Sequence, residues 1–197
     1  MERIIPVAVI NGLKETKPLL NALKSGGINT AEITFRTACA ADAIKLAIKE
    51  FPQMNIGAGT VINAAQCKAA VNAGARFIVS PGFSQEVLDE CKKANAPYYP
   101  GCVTPTEIMT AIAAGIDVVK FFPAQVYGGL VAINALGAAF PKIKFIPTGG
   151  VDNSNLAEYL NNPKVYAVGG SWMMKGGYDN IAELSKEAVK ILEEAQK

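Results

Sequence analysis

The chain has 197 residues, half of them hydrophobic, and its formal net charge is +2 at pH 7. This length suits one domain with a large apolar core. A small charge without long runs of like charge argues against nucleic acid or an anionic membrane as the main partner. The first residues enter an apolar run without the pattern of a signal peptide, and no stretch is long enough to span a bilayer, so we expect a cytoplasmic protein.

The residue types that the chain lacks restrict its chemistry. It contains no histidine, which excludes Ser-His-Asp and Cys-His catalysis and argues against a catalytic zinc ion, so we expect no metal. Its four cysteines are widely spaced and form no C-x-x-C pair, which is typical of reduced cytosolic thiols: Cys39, Cys67, Cys91 and Cys102. Cys102 lies near a predicted strand end, but without a histidine to activate it we interpret it as structural rather than as a nucleophile.

Short apolar runs alternate with helical patterns along the whole chain. Strands are predicted over 4–10, 29–35, 54–59, 76–80, 98–102, 118–122, 143–148 and 165–169. Helices are predicted over 13–23, 40–51, 64–73, 85–94, 105–114, 130–140, 153–160 and 180–195. Eight such units predict an α/β fold with a parallel sheet closed into a (β/α)8 TIM barrel, a single domain over 1–197. The alternative, an open doubly wound sheet, would predict a G-x-G-x-x-G turn after the first strand, and none is there.

The predicted strand 118–122 carries a lysine inside an otherwise apolar run. Burial of the Lys120 ammonium group is costly unless the group is paired or gives up its proton. A neutral lysine at the end of a barrel strand is the nucleophile that Schiff-base chemistry requires. The alternative is that Lys120 extends its ammonium group into solvent, and this stretch alone does not decide between the two.

The second predicted strand places polar side chains on one face. Because side chains alternate along a strand, Glu32, Thr34 and Arg36 share a side, and the apolar residues between them face the helices. The polar side chains would then face the barrel axis at the carboxyl ends of the strands, where functional groups gather in such barrels. The alternative is a structural ion pair between Glu32 and Lys120.

Glycine-rich segments follow several other strands. Gly57-Ala58-Gly59-Thr60 allows close backbone approach and offers the Thr60 hydroxyl, although tight packing alone would explain it. Ser80-Pro81-Gly82 is equally typical of a simple turn. Pro147-Thr148-Gly149-Gly150 and Gly169-Gly170-Ser171 end the seventh and eighth strands, where phosphate sites recur in these barrels. Glycine N–H groups near a helix N-terminus bind such an anion, so we interpret this pair as a phosphate site rather than as two ordinary turns.

The order of these segments resembles that of one enzyme family over nearly the whole chain. These are the 2-keto-3-deoxy-6-phosphogluconate aldolases, also called 2-dehydro-3-deoxy-phosphogluconate/4-hydroxy-2-oxoglutarate aldolases. The matching segments are Glu32-Ile-Thr-Phe-Arg36-Thr37, Gly57-Ala-Gly-Thr60-Val61, Ser80-Pro81-Gly82, Lys120-Phe-Phe-Pro-Ala124, Pro147-Thr-Gly-Gly150 and Gly169-Gly-Ser171-Trp172. Each segment is weak alone, but the ordered set is specific.

The resemblance implies a metal-free class I aldolase, usually a homotrimer, with no cofactor beyond a covalent Schiff base. Lys120 would form the Schiff base, and Glu32 would move protons through a water molecule. The substrate-binding positions would be Arg36, which holds the carboxylate, and Thr60, Pro81, Phe122 and Thr148. The phosphate-binding positions would be Gly149, Gly150, Gly170 and Ser171. The substrate would be a phosphorylated 2-keto acid, 2-dehydro-3-deoxy-6-phosphogluconate, cleaved to pyruvate and glyceraldehyde 3-phosphate.

Two residues depart from the family pattern and leave the substrate open. Gln125 stands where relatives commonly carry Glu, which we expect to alter only the start of the following helix. Asn11 ends the first strand where some relatives have Arg, which leaves one cation fewer for the substrate. The galactonate epimer and 4-hydroxy-2-oxoglutarate are therefore alternative substrates. A phosphate-binding barrel without catalysis, or an assembly scaffold, is the alternative from another class.

Overall fold

The structure of the protein is a computed structural model that describes residues 3–195. Within that range the strands are β1 (Ile4–Ala8), β2 (Thr30–Thr34), β3 (Asn55–Gly59), β4 (Ile78–Val79), β5 (Tyr98–Tyr99), β6 (Val118–Phe121), β7 (Lys144–Pro147) and β8 (Val168–Gly170). The α-helices are α1 (Leu13–Ser25), α2 (Ala40–Glu50), α3 (Ala64–Asn72), α4 (Gln85–Ala94), α5 (Pro105–Ala113), α6 (Gly129–Ala139), α7 (Leu156–Asn161) and α8 (Tyr178–Ala195). A 3₁₀ helix, Trp172–Met174, precedes α8. Every predicted strand and helix therefore has a counterpart at its place in the chain.

The strands that are shortened most are β4 and β5, which have two residues each where strands of five residues were predicted. Proline explains both, because it has no N–H group to donate to a ladder. Pro81 closely follows β4, and Pro97 and Pro100 flank β5. The start of α7 is also later than predicted, because Asp152 first forms a turn in which its carboxylate accepts a hydrogen bond from the Ser154 N–H at 2.9 Å.

The strands are parallel and form two sheets. Six strands pair in the order β5-β4-β3-β2-β1-β8, and β6 pairs with β7. Isolated bridges link the two sheets, between Gly101 and Lys120 at one junction and between Thr148 and Gly169 and between Phe145 and Val165 at the other. The predicted ladder of eight strands is thus interrupted at two junctions. Pro100 and Pro147 lie there, and their missing N–H groups limit the pairing.

Apolar side chains form two clusters. The larger one joins the strands to the helices, and its members include Ile33, Ile44 and Phe145. The smaller one combines side chains from both sheets, with Ile5, Phe77 and Ala167 near the amino ends of their strands and Val79 and Ile146 beside them. Both sheets therefore share a core at that end, and the carboxyl ends are left for polar side chains. Within residues 3–195, no helix combines the length and hydrophobicity needed to cross a membrane.

Candidate active site

Lys120 on β6 and Glu32 on β2 meet across the interior. Their side chains are only 7% and 4% exposed, and Lys120 Nζ lies 3.4 Å from Glu32 Oε1. The alternative in which Lys120 extends into solvent is therefore wrong. The ion pair that the sequence allowed is present, and it holds an amine and a carboxylate together in a largely dry environment. A buried pair of this kind is weak evidence for stability alone, since desolvation offsets most of the attraction.

Gly59 makes room for the Glu32 carboxylate. It lies on β3, which pairs with β2, and a Cβ atom built at Gly59 would overlap Glu32 Oε1 and Cδ. No other residue type fits there without displacing the carboxylate. The glycine that the sequence allowed as a packing residue therefore fixes the position of a charged group.

The main chain and ring neighbours of Lys120 restrict its position. Its N–H donates to Pro100 O at 2.8 Å, and its carbonyl accepts a hydrogen bond from the Cys102 N–H at 2.9 Å. The Phe122 ring centroid lies 5.3 Å from Lys120 Nζ, a cation–π distance. The main chain of Lys120 is therefore held in place, and its amine extends from a defined position on β6.

A cavity of about 430 Å³ opens at the carboxyl ends of the strands. The predicted residues that line it are Arg36, Lys120, Phe122, Thr148, Gly149, Gly150, Gly170 and Ser171. Glu32 is not part of the lining, but its carboxylate contacts Lys120, which is. The structure therefore brings together residues from the ends of β2, β6, β7 and β8 that are up to 139 positions apart in the chain, from Glu32 to Ser171.

Thr60 and Pro81 are not among the residues that line this cavity. Thr60 follows β3 with φ of 55°, in the left-handed region that threonine seldom adopts. Pro81 is exposed, and its carbonyl lies against Gly101, where a Cβ atom would overlap it. Both residues lie at the carboxyl edge, but β3 and β4 end beside the cavity rather than in its wall.

The two residues that depart from the family pattern also lie outside the cavity wall. Asn11 is exposed, and its N–H donates to Glu15 Oε2 at 3.0 Å. Gln125 accepts a hydrogen bond from Tyr159 Oη at 3.3 Å. Its Cβ also packs closely on Gly150, so Gln125 supports the glycine turn as well as the segment before α6.

The turn after β7 has the geometry of an anion site. Gly149 and Gly150 have φ of 93° and 80°, which favours glycine. The carbonyl of Gly149 accepts a hydrogen bond from the Gln125 N–H at 3.1 Å, which fixes the turn. Within residues 3–195, no protein group accepts a hydrogen bond from the N–H of Gly149 or Gly150. These two donors are therefore free for a ligand.

Thr148 connects this turn to β8. Its side chain is buried, and its hydroxyl donates to Ile146 O at 3.3 Å. A Cβ atom at Gly169 would overlap the Thr148 hydroxyl, and one at Gly170 would overlap the Trp172 ring. The glycines of β8 are therefore required for close packing as well as for the proposed anion contacts.

Two charged residues of the cavity were not singled out from the sequence. Lys175 and Asp152 both line it. Hydrogen bonds from the Ser154 side chain and N–H lower the pKa of Asp152, and the positive charge of Lys175 adds to this effect. The available signal was a lysine four positions after Ser171, in a segment predicted to be neither helix nor strand.

The cysteines are all free thiols in the described structure. Burial raises the pKa of Cys102 to about 12, and the nearby Glu107 carboxylate adds to this effect, so the thiol stays protonated at neutral pH. This agrees with the structural interpretation of Cys102. Within residues 3–195, no group of three or more His, Cys, Asp or Glu side chains could hold a metal ion.

A second, larger cavity of about 520 Å³ lies at the amino ends of β5 and β6. Its lining includes Tyr99, Asp117 and Tyr166, and Lys92 is its other charged residue. Burial raises the pKa of Tyr99 to about 12, and Tyr166 and Asp117 add to the effect. None of the residues predicted to form a functional site lies in this lining.

A buried amine beside a carboxylate, at the carboxyl ends of parallel strands and next to free glycine N–H groups, is the arrangement of enzymes that form a Schiff base with a carbonyl substrate. The comparison with known families gives the particular group. The model of the KDPG and KHG aldolase family matches residues 1–187. The chain belongs to this family, and it is an aldolase, a carbon–carbon lyase.

Individual relatives match over nearly their whole length. The 2-dehydro-3-deoxy-phosphogluconate aldolase of Treponema pallidum is 41% identical over 96% of this chain and 93% of its own. The KDPG aldolase of Legionella pneumophila, with pyruvate captured as a covalent carbinolamine intermediate, has a TM-score of 0.90 at 41% identity, covering 94% of this chain and 93% of that one. The corresponding aldolase of Zymomonas mobilis with 3-phosphoglycerate has a TM-score of 0.89 at 39% identity, covering 94% and 90%.

Proposed function

We propose that this protein is a class I aldolase that cleaves 2-dehydro-3-deoxy-6-phosphogluconate to pyruvate and glyceraldehyde 3-phosphate through a Schiff base on Lys120. The observation that carries the proposal is the 3.4 Å contact between Lys120 and Glu32 at a cavity that also contains the glycine turn of Gly149 and Gly150. The Legionella relative forms a covalent carbinolamine with pyruvate, which is the same chemistry on a product of the proposed reaction.

The first step joins the lysine to the substrate. Lys120 Nζ gives up a proton, for which the Glu32 carboxylate is the nearest base, and the neutral amine attacks the C2 carbonyl carbon. The carbinolamine that forms then loses water and becomes an iminium ion. The positive iminium nitrogen accepts the electron pair that the next step releases.

The second step breaks the bond between C3 and C4. Glu32 accepts the proton of the C4 hydroxyl through a water molecule, and C4 leaves as the carbonyl carbon of glyceraldehyde 3-phosphate. The bonding electrons move to the iminium nitrogen and produce an enamine. Protonation of the enamine at C3, followed by hydrolysis, releases pyruvate and restores the free lysine.

The remaining residues would hold and orient the substrate. Arg36 binds the carboxylate beside the keto group, and Phe122 and Thr148 contact the substrate chain. Gly149, Gly150, Gly170 and Ser171 bind the phosphate, whose binding energy helps to align the reacting carbons. Roles for Thr60 and Pro81 rest on the family resemblance alone.

The proposal includes a single closed (β/α)8 barrel over 1–197. The bridges at Gly101–Lys120 and Thr148–Gly169 support closure, since they link the two sheets at both junctions. The core shared by Phe77 and Ile146 supports it as well. The match of the family model to residues 1–187 supports one domain.

A homotrimer in the cytoplasm completes the proposal. Several large apolar side chains around α5 and α6 are exposed, including Met109 at 61%, Val126 at 81% and Val131 at 82%, which is typical of an association surface. The four free thiols favour a reducing compartment. Light scattering that reports a monomer at micromolar concentration would contradict the trimer.

Borohydride trapping tests the central step. Pyruvate plus borohydride should add the mass of a reduced pyruvate adduct to the peptide that contains Lys120, and Lys120→Arg should abolish this, since arginine keeps the charge but is not an amine nucleophile. Label on a different lysine would contradict the assignment, and absence of any label would favour the scaffold alternative. Rates on the gluconate and galactonate epimers and on 4-hydroxy-2-oxoglutarate would then identify the preferred substrate.

A further inference from the structure

We propose that Lys175 determines specificity for phosphorylated substrates by binding the substrate phosphate with its ammonium group. The inference rests on the proposed function and adds a residue to its phosphate site. Its starting point is the position of Lys175 in the lining of the same cavity as Gly150, Gly170 and Ser171.

The main chain on both sides of Lys175 is anchored. Trp172 and Met173 are buried, and Trp172 Nε1 donates to Asn153 Oδ1 at 2.7 Å. On the other side, the Lys175 carbonyl accepts a hydrogen bond from Asn180 Nδ2 at 2.8 Å. The side chain therefore starts from a defined point beside the cavity, while its exposed ammonium group can turn toward a ligand.

Among the positively charged residues of the cavity, Lys175 is the one to which the proposed reaction assigns no other role, so it is free to bind the phosphate. The positively charged residues in its lining are Arg36, Lys120 and Lys175. In the proposed reaction Lys120 bonds to the substrate and Arg36 binds the carboxylate. The other phosphate contacts, such as Gly150 N–H and the Ser171 hydroxyl, are neutral donors. A phosphate ester carries about −1.5 to −2 charge at neutral pH, and lysine is a common partner for it as a mobile point charge.

The negative charge of Asp152 increases the expected contribution of Lys175 to phosphate binding. The Asp152 carboxylate is negative at neutral pH, and Lys175 lies close enough to help lower its pKa. Asp152 lines the cavity as well, so its charge would repel a phosphate if Lys175 did not offset it. Removal of Lys175 would therefore abolish its attraction for the phosphate and leave the repulsion from Asp152 without compensation.

The test uses three variants of the full chain. Lys175→Met removes the charge and keeps an unbranched side chain, Lys175→Arg keeps the charge, and Lys142→Met is a control at an exposed lysine outside this cavity. We expect Lys175→Met to raise KM for 2-dehydro-3-deoxy-6-phosphogluconate by about 10-fold, the value of one charge-assisted contact. We expect kcat, and both constants for unphosphorylated 4-hydroxy-2-oxoglutarate, to stay near wild type. Lys175→Arg should recover most of the loss, and Lys142→Met should show none.

A binding measurement separates this inference from the proposed catalysis. Calorimetric titration with 3-phosphoglycerate and with glycerate reports the contribution of the phosphate without turnover. The preference for 3-phosphoglycerate should shrink about 10-fold in Lys175→Met and weaken with added salt. An unchanged preference, or an equal loss for both ligands, would overturn the role of Lys175. Failure of the wild type to trap pyruvate would instead overturn the proposed function.

Discussion

The two ends of the parallel strands contain cavities of similar size but of different chemistry. The cavity at the amino ends, about 520 Å³, is lined by Tyr99 and Tyr166. The cavity at the carboxyl ends, about 430 Å³, contains Arg36, Lys120 and Lys175. The larger cavity is therefore not the better candidate. Converging charges and free N–H groups make the cavity at the carboxyl ends the candidate active site, and the glycine turns that follow β7 and β8 lie there.

Two ion pairs, one on the surface and one buried, likewise differ in what they contribute to the molecule. Lys17 and Glu50 are 2.7 Å apart on the surface, with side chains 55% and 27% exposed. Lys120 and Glu32 are 3.4 Å apart, with side chains 7% and 4% exposed. The shorter contact contributes little because water screens it. The longer one matters more, since removal of either partner would leave the other charge buried and unpaired.

The largest expected effect is that of Lys120→Met. Without the amine, kcat should fall by about 10⁴-fold or more, as for loss of other covalent nucleophiles. The variant should also lose about 3–5 kcal/mol of stability at pH 7, because Glu32 remains buried without its partner. Steady-state kinetics and urea unfolding measure the two effects.

Two further variants serve as controls for Lys120→Met. The double change Lys120→Met with Glu32→Gln should recover part of the stability but none of the activity, because it removes both charges. Lys17→Met, on the surface, should leave both quantities near wild type. If Lys17→Met and Lys120→Met lowered the free energy of unfolding equally, the surface and buried ion pairs would not differ as expected.

Glu32→Gln should have the next largest effect. The amide keeps the size of the side chain and its ability to form hydrogen bonds, but it cannot accept the proton of the C4 hydroxyl. We expect kcat to fall by about 10²- to 10⁴-fold, the usual contribution of general acid–base catalysis, and KM to change less. Near-normal kcat would assign the base to another residue.

Most of the fold could be predicted because local signals were strong. Each strand was a short apolar run between turn residues, and each helix had its own apolar face. The interruption of the ladder at Pro100 and Pro147 was less accessible, since it depends on which strands become neighbours.

Residues of the candidate site could be predicted where a residue type was out of place for its strand. Lys120 in an apolar run and Glu32 on a predicted interior face are such cases. Lys175 and the space that Gly59 provides for Glu32 were not predictable in this way. Both depend on distances between segments that are far apart in the sequence.

Two glycines of β3 offer a direct comparison of the two ends. A Cβ atom at Gly59 would overlap the Glu32 carboxylate, and one at Gly57 would overlap the Phe77 ring in the core near the amino ends. We expect Gly59→Ala to lower kcat by up to about 10²-fold, the effect of a misplaced catalytic group, with a smaller change in stability. Gly57→Ala should cost about 1–3 kcal/mol of stability through overpacking and leave kcat of the folded protein near normal. Loss of kcat in Gly57→Ala alone would reverse the assignment of the two ends.

The smallest effect is expected at the amino-end cavity, for Tyr99→Phe. The ring contact with Phe77, at 6.2 Å between centroids, would survive, and kcat should stay within about twofold of wild type.

The pH dependence of unfolding should nevertheless change in Tyr99→Phe. Burial raises the pKa of Tyr99 from its ordinary value of 10.0 to about 12, so above pH 10 the unfolded chain releases this proton while the folded chain still holds it. This difference lowers the stability of the wild type as the pH rises from 10 toward 12. Tyr99→Phe has no such group, so urea unfolding at pH 8 and pH 11 should show a smaller alkaline loss in the variant. A twofold or larger fall in kcat without that gain would mean that the amino-end cavity takes part in the reaction.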